Sequence, residues 1–269
     1  MSGQYSTFEV VTSMNQSYYE KVGHRMVNSF IDNWDENVNL RVYSEDMFSH
    51  VTLTRLGHNF THRVNWYDLF KVEPECQAFV ERHKDRADQQ NKLELHLGAV
   101  RFAYKTFSVF AANKYSDADY VIWLDADVFT HSPISVDFLN TLVCPEVYTT
   151  YLGRENNYSE CGFVIYNTKH PKHEAFQEMW RSLYTTDHLF QLPQWHDSFV
   201  FDCVRRHFEK NEDLQNYNMT PEGKAYDHVF INSVLGDYMD HMKGPRKDRG
   251  SSNAKDLYTE RDGEYWKTV

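Results

Sequence analysis

The sequence contains few of the features that define several common protein classes. Its four cysteines, Cys76, Cys144, Cys161 and Cys203, are widely spaced and form no CxxC pair, so a disulfide framework or zinc ribbon is not expected. No apolar run approaches the roughly 18 residues that span a bilayer. The first residues carry neither the basic nor the apolar part of a secretory signal. We therefore expect no transmembrane segment and a cytoplasmic location, which would be the host cytoplasm for a viral protein.

Positive charge is also scarce. The chain has 28 Lys and Arg residues against 39 Asp and Glu residues, a net charge of −11. Such an acidic chain is a poor binder of nucleic acid, so we expect no nucleic-acid partner. Apolar residues make up 41% of the sequence and aromatic residues 16%, which excludes disorder and a coiled coil. The nucleophile elbow, the P-loop and the dinucleotide fingerprint are all absent.

The apolar pattern predicts an α/β fold. A β-favouring run at 8–12, helical spacing over 19–30 and alternation over 38–42 open the chain as strand, helix, strand. The continuous apolar run Tyr120–Leu124 fits a strand that is buried on both faces of a parallel sheet. Further strands are predicted at 146–151 and 161–166. Amphipathic helices are predicted over 93–111, 176–184 and 200–208.

The domain organisation is predicted to be simple. At about 150 residues per domain, 269 residues allow one large domain or two small ones. The apolar residues of 45–92 show little clear periodicity. We therefore expect loops and short helices there, inserted into the domain. Residues after about 249 are expected to form a C-terminal tail. We predict one domain over residues 1–269.

The strongest chemical signal is Asp125-Ala126-Asp127, directly after the predicted buried strand. In open α/β sheets ligands bind beyond the carboxyl ends of the strands. Two carboxylates at that position can bind a hard divalent cation. Because many solvated turns contain D-x-D, the motif becomes informative only through its place after an apolar strand.

A second signal lies in His241-Met-Lys-Gly244-Pro-Arg-Lys247, which reads H-x-x-G-x-x-K. The imidazole of His241 can supply a nitrogen ligand to a transition metal. Gly244 lets the backbone approach a phosphate closely, and Lys247 is a point charge suited to a diphosphate leaving group. Taken alone, the segment could equally be a solvated basic turn.

Two enzyme classes place D-x-D after a strand. In haloacid dehalogenase-type phosphatases the first Asp is the nucleophile, but that motif continues Gly-Thr and follows the first strand, whereas here Val128-Phe129 follows late in the chain. The ordered motifs resemble instead the GT-A fold glycosyltransferases, most closely the retaining family 8 group that includes glycogenin. The resemblance implies a mixed, mostly parallel Rossmann-like sheet flanked by helices.

The resemblance also assigns roles to the two signals. It implies that Asp125, Asp127 and His241 coordinate Mn²⁺ or Mg²⁺ in the donor site, with Ala126 between the carboxylates. It implies that Lys247 contacts the diphosphate of a nucleotide-sugar. Family members usually continue with Pro-Trp after this lysine, and Asp248-Arg249 stands here instead.

Four further segments match the family pattern. The first strand and turn imply base binding by Thr12, Asn15 and Tyr18, and Tyr18 alternatively covers the core. Lys105 resembles the basic residue that contacts the donor from the helix before D-x-D. Arg101, one turn earlier, is the alternative for that role. Gly162 would leave room for the donor sugar. Asp197 resembles the carboxylate near the transferred sugar and could steady an oxocarbenium-like centre, bind a hydroxyl or deprotonate the acceptor. Ser198 replaces the family's Gln.

The predicted function is therefore a metal-dependent glycosyltransferase. It would move a sugar from a nucleotide-sugar, a UDP-sugar by resemblance, to a hydroxyl of a glycan, lipid-linked or protein acceptor, with retention. One alternative is a phosphatase with Asp125 as nucleophile. The other is a non-catalytic nucleotide-binding protein of the same shape.

Overall fold

The computed structural model describes residues 6–46, 62–86, 98–223 and 228–269. The strands are β1 (Phe8–Met14), β2 (Asn39–Ser44), β3 (Val64–Asp68), β4 (Tyr120–Leu124), β5 (Val128–Thr130), β6 (Thr149–Leu152), β7 (Glu160–Asn167), β8 (Tyr217–Asn218) and β9 (Met239–His241). The longer helices are α1 (His24–Asn33), α2 (Pro74–Arg82), α3 (Ala99–Tyr115), α4 (His173–Thr185) and α5 (Asp197–Asn211). Short helical segments are Gln16–Tyr18 and the π-helical Tyr19–Gly23, both continuous with α1, and Leu69–Val72, Val136–Asn140, His188–Gln191, Val229–Asn232, Val234–Asp237, Arg246–Arg249, Ala254–Asp256 and Glu264–Lys267.

The main sheet is mixed and mostly parallel. Within the described residues it has seven strands in the order β3-β2-β1-β4-β7-β6-β8. Six strands run in one direction, and β7 runs antiparallel to both of its neighbours. Helices pack on the sheet, which confirms the predicted fold class. Strands β5 and β9 pair with each other in a separate antiparallel ribbon.

Strand β4 is the apolar centre of the sheet, as its sequence predicts. Ile122 and Leu124 point into one apolar layer, and Val121 and Trp123 point into the layer on the other face. All four side chains are buried, and each contributes about 1.5–3 kcal/mol by leaving water. Because both faces are covered, the strand shows no polar alternation.

The region expected to be an insertion, 45–92, was interpreted wrongly in part. Residues Val64–Asp68 form β3, an edge strand that pairs in parallel with β2, and α2 packs beside α3 through the buried Phe79. The side chains of β3 are mostly half-buried, so they give no clear alternation in the sequence. Residues 47–61 and 87–92 of this region lie outside the described residues.

The C-terminal segment is also more ordered than a tail. Trp266 is buried in the apolar layer that contains Ile122 and Leu124, and its indole N–H donates to the Gly236 carbonyl at 2.7 Å. The predicted strand at 146–151 is shorter, at Thr149–Leu152, because the chain is still turning at Val147, whose N–H bonds to the Cys144 carbonyl.

Candidate active site

The reversed strand β7 brings two segments together at one edge of the sheet. Because β7 runs against β4, its first residues lie beside the end of β4. The backbone N–H of Asp125 donates to the Gly162 carbonyl at 2.9 Å. The segment after D-x-D then pairs with β9, where Val128 lies opposite His241. These pairings bring the two motifs of the sequence analysis into one site.

Asp125, Asp127 and His241 converge. The Nε2 atom of His241 lies 3.1 Å from Asp127 Oδ1 and 3.5 Å from Asp125 Oδ2. One ligand atom from each of the three residues lies within 4.8 Å of the others. Two carboxylate oxygens and one imidazole nitrogen suit a divalent metal of the Mn²⁺ or Mg²⁺ kind, with nitrogen favouring the transition metal. The donor set therefore fits such an ion.

The second oxygen of Asp127 is bound by Lys247. Its Oδ2 atom lies 2.9 Å from the Lys247 ammonium, which also lies 5.2 Å from the centre of the Tyr18 ring. Burial alone would raise the pKa of Asp127, but His241 and Lys247 lower it well below the usual range. Burial, and then the charges of Asp127 and Asp125, raise the pKa of Tyr18. Asp127 is thus ionised, and Tyr18 keeps its proton.

Lys105 joins two carboxylates beneath the site. Its ammonium donates to Asp125 Oδ1 at 2.8 Å and to the Cys161 carbonyl at 2.7 Å, and it lies 2.7 Å from Asp197 Oδ2. Burial would lower the pKa of Lys105, but Asp125 and Asp197 raise it above the usual range. The Trp123 indole N–H also donates to Asp125 Oδ1, at 2.6 Å. Asp125 Oδ1 therefore accepts hydrogen bonds from Lys105 and Trp123, while Oδ2 faces His241.

Asp197 is the first residue of α5 and is buried. The preceding His196 is the helix cap, since its side chain accepts from the N–H of Phe199. The side chain of Asp197 is therefore not needed as a cap and turns towards Lys105. Arg101, the competitor of Lys105 in the sequence, is exposed but lines the same cavity.

A cavity of about 1030 Å³ opens over these residues. This volume lies at the upper end of the usual range for ligand pockets, about 300–1,000 Å³. Of the residues predicted from the sequence, the described lining includes Asn15, Tyr18, Lys105, Asp125, Ala126, Asp127, Gly162, Asp197, His241, Gly244 and Lys247.

Three predicted residues have surroundings that the sequence did not indicate. Thr12 does not line the cavity formed by the described residues; it is fully buried within β1, whose alternation turns Ser13 to the cavity instead. The side-chain oxygen of Asn15 accepts from the Tyr18 N–H at 2.8 Å and so caps the helical segment. A Cβ on Gly162 would lie 2.4 Å from His241 Cε1, so the missing side chain makes room for the imidazole.

Gly244 has φ +56°, a conformation that favours glycine, and a Cβ there would meet no described atom. Its backbone is therefore open to the cavity.

Several cavity residues were missed by sequence reasoning. Glu160 is fully buried next to His241, and Arg154 and Lys243 lie close to it. On the other side, Glu45 follows β2 and accepts a hydrogen bond from Ser13 at 2.9 Å. Burial raises the pKa of Glu45 to about 7. Only the position of Glu45 just after a predicted strand could have indicated it.

Comparisons with known proteins agree with this architecture. No protein-family profile and no curated protein matches the sequence. The chain superposes on galactosyltransferase LgtC in complex with donor and acceptor sugar analogues with a TM-score of 0.54 at 15% identity, covering 97% of this chain and 99% of that one. Against mouse xyloside xylosyltransferase 1 the TM-score is 0.51 at 11% identity, covering 86% and 91%.

A third solved structure, the WbbM bifunctional glycosyltransferase, gives a TM-score of 0.51 at 16% identity and covers 91% of this chain. The chain spans about half of that protein, 47% of its length. The molecule therefore has the GT-A glycosyltransferase fold. In the part of the chain that the structure describes, no helix is long and apolar enough to cross a membrane.

Proposed function

We propose that this protein is a metal-dependent glycosyltransferase that moves a sugar from a UDP-sugar to a hydroxyl group of its acceptor, with retention of configuration. The observation that carries the proposal is the convergence of Asp125, Asp127 and His241 on a cavity large enough for a nucleotide-sugar. The acceptor would be a glycan, a lipid-linked sugar or a protein. The fold agrees with this activity and offers no support for a phosphatase nucleophile at Asp125.

The metal site supplies the electrostatic part of the mechanism. Mn²⁺ or Mg²⁺ held by Asp125, Asp127 and His241 would act as a Lewis acid towards the diphosphate. Lys247, whose ammonium already lies at Asp127, would neutralise negative charge that develops on the departing diphosphate. The open backbone at Gly244 would let a phosphate approach. Asn15 and Tyr18, on the same cavity wall, would contact the base.

Asp197 would act on the sugar side of the cavity. Its carboxylate and that of Asp125 share the Lys105 ammonium, so Asp197 lies near the metal-binding residues and is held in one orientation. An ionised carboxylate there would stabilise positive charge at the anomeric carbon or bind a sugar hydroxyl. Lys105 would keep Asp197 in place without touching the acceptor.

The first test is thermal stability with Mn²⁺, with UDP and with both. A ligand that binds only the folded protein stabilises it by mass action, by about 2.7 kcal/mol at one hundred times its Kd. We expect the large rise in melting temperature to require both components. No rise with UDP, GDP or another nucleotide would exclude the nucleotide-sugar proposal.

The variant Asp127→Asn keeps the shape of the side chain but loses the charge. We expect it to fold, to lose the joint effect of Mn²⁺ and UDP, and to lose about 100-fold or more in transfer rate. The exposed Asp137→Asn is the matched control and should behave as the parent protein. Transfer that persists undiminished in a chelator would contradict the metal role. UDP binding without hydrolysis or transfer to any acceptor would favour the non-catalytic alternative.

A further inference from the structure

The two nitrogens of the His241 imidazole face different partners. Nε2 faces Asp127 and Asp125, as described above. Nδ1 points the other way, towards Glu160 Oε1 at 3.5 Å. Nδ1 is buried, and no described residue makes a hydrogen bond to it. A buried ring N–H that lacks a hydrogen-bond acceptor is costly. The Glu160 carboxylate lies on the side of the ring where a proton on Nδ1 would need that acceptor.

Glu160 is an ionised carboxylate inside the protein. It is the first residue of β7, and only 1% of its surface is exposed. Its Oε1 accepts from the Gly162 N–H at 3.1 Å, and its Oε2 is bound by the Lys243 ammonium with Arg154 at 4.0 Å. Two cations, Lys243 and Arg154, lie at the carboxylate, so it is available as an acceptor.

The ring of His241 is also confined sterically. A Cβ at position 162 would lie 2.6 Å from Nδ1 and 2.4 Å from Cε1, so only glycine leaves the ring its present place. The Phe230 ring packs edge-on at 5.1 Å and 62°. The imidazole is 1% exposed. Rotating the ring would push it against these neighbours and turn Nδ1 away from Glu160.

We propose that Glu160 is the positioning residue of the metal site: its carboxylate fixes the proton of His241 on Nδ1 and leaves the Nε2 lone pair facing the two aspartates. Carboxylates opposite the ligating nitrogen fix the tautomer and strengthen the ligand. Lys243 balances the charge of Glu160, so that the carboxylate orients the imidazole at a lower desolvation cost. This inference rests on the metal site proposed above.

The test is a titration of the protein with Mn²⁺ alone, in which the electron paramagnetic resonance signal of free Mn²⁺ reports the unbound ion. Glu160→Gln retains an acceptor oxygen but removes the charge. We expect it to bind Mn²⁺ about 10–100-fold more weakly than the parent protein. Glu73→Gln is the matched control, because Glu73 is also buried and paired with an arginine, Arg181 at 2.8 Å, but lies outside the cavity lining. Its Mn²⁺ affinity should be unchanged.

Equal Mn²⁺ affinity of Glu160→Gln and the parent protein would overturn the role of Glu160 and leave the metal site intact. A parent protein that binds no Mn²⁺ would instead overturn the metal site and the proposed mechanism. A second measurement does not use the Glu160→Gln variant. Long-range ¹H–¹⁵N correlation spectra of the parent protein, with His241 assigned by substitution, should show the proton of the neutral ring on Nδ1. A proton on Nε2 would overturn the inference.

Discussion

Each aspartate of the D-x-D motif places one carboxylate oxygen on a lysine and the other towards His241. Asp125 gives one oxygen to Lys105 and Trp123, and Asp127 gives one to Lys247. The remaining oxygens face His241. The lysines therefore fix which carboxylate oxygen is available to a metal, in addition to supplying charge.

Replacing Lys105 should be costly for stability. Lys105→Met leaves the carboxylates of Asp125 and Asp197 without the cation that joins them, in a site where they are largely shielded from water. Unpairing charges of this kind typically costs a few kcal/mol, and we expect a loss of about 3 kcal/mol in the free energy of unfolding. Urea denaturation measures it.

Arg101→Met is the control for that experiment, because Arg101 lies one turn earlier on α3 and is exposed. It should change stability by less than about 0.5 kcal/mol. Equal losses in the two variants would mean that the ion pairs of Lys105 contribute nothing measurable.

At the scale of elements, the β5–β9 ribbon depends on the C-terminal segment. Tyr265 stacks on His131, next to β5, with ring centres 4.2 Å apart and planes 3° apart. Its hydroxyl donates to Asp240, in β9, at 2.7 Å. Trp266 fills the apolar layer behind the ribbon. Since the ribbon carries His241 and follows Asp127, this packing supports the candidate metal site from behind.

Trp266→Ala should therefore destabilise the whole fold. Removing a buried aromatic side chain leaves a cavity and costs about 3–5 kcal/mol, which denaturant titration would detect. Trp266→Phe is the comparison, because it keeps most of the volume and loses the hydrogen bond to the Gly236 carbonyl. It should lose about 1 kcal/mol plus a small packing term. A Trp266→Ala protein as stable as the parent would mean that the segment is not part of the core.

The sequence predicted elements where burial was uniform or periodic. Tyr120–Leu124 was predicted with its correct bounds because both faces are covered. β3 was missed because an edge strand has one poorly covered side, and its side chains are half-buried. The residues of the D-x-D and H-x-x-G-x-x-K motifs were identified because their residue types and spacing suit the binding of a metal ion and a diphosphate. Glu160 was missed because the sequence of β7 does not show that this strand runs antiparallel to its neighbours, which places its first residue at the cavity.

For the whole molecule, we expect stability to fall as the pH drops from about 6.5 to 4. Burial lowers the pKa of His131 to about 4, and burial also lowers that of His228 to about 4. A histidine whose folded pKa is depressed destabilises the protein below its unfolded pKa, near 6.5, because the unfolded chain takes up a proton that the buried imidazole does not. The cost grows as the pH falls towards the folded value and reaches about 2 kcal/mol for each residue.

The measurement is urea denaturation at pH 7 and pH 4.5. The double variant His131→Asn, His228→Asn should lose less stability between these pH values than the parent protein. His207→Asn, at an exposed position of α5, should leave the difference unchanged. An equal loss in the double variant would assign the acid sensitivity to the carboxylates instead. We propose that one cooperative transition describes the chain, in keeping with a single domain over residues 1–269.

The antiparallel pairing of β5 with β9 has a consequence for the order of events during folding. Asp127 and His241 are 114 residues apart in the chain, and strands β6 to β8 lie between them in sequence. Contacts of such long separation form late, after the loop between them has closed. A half-folded chain would therefore hold the two aspartates without the imidazole. A metal ion bound by all three residues would mark the completed pairing of β5 with β9.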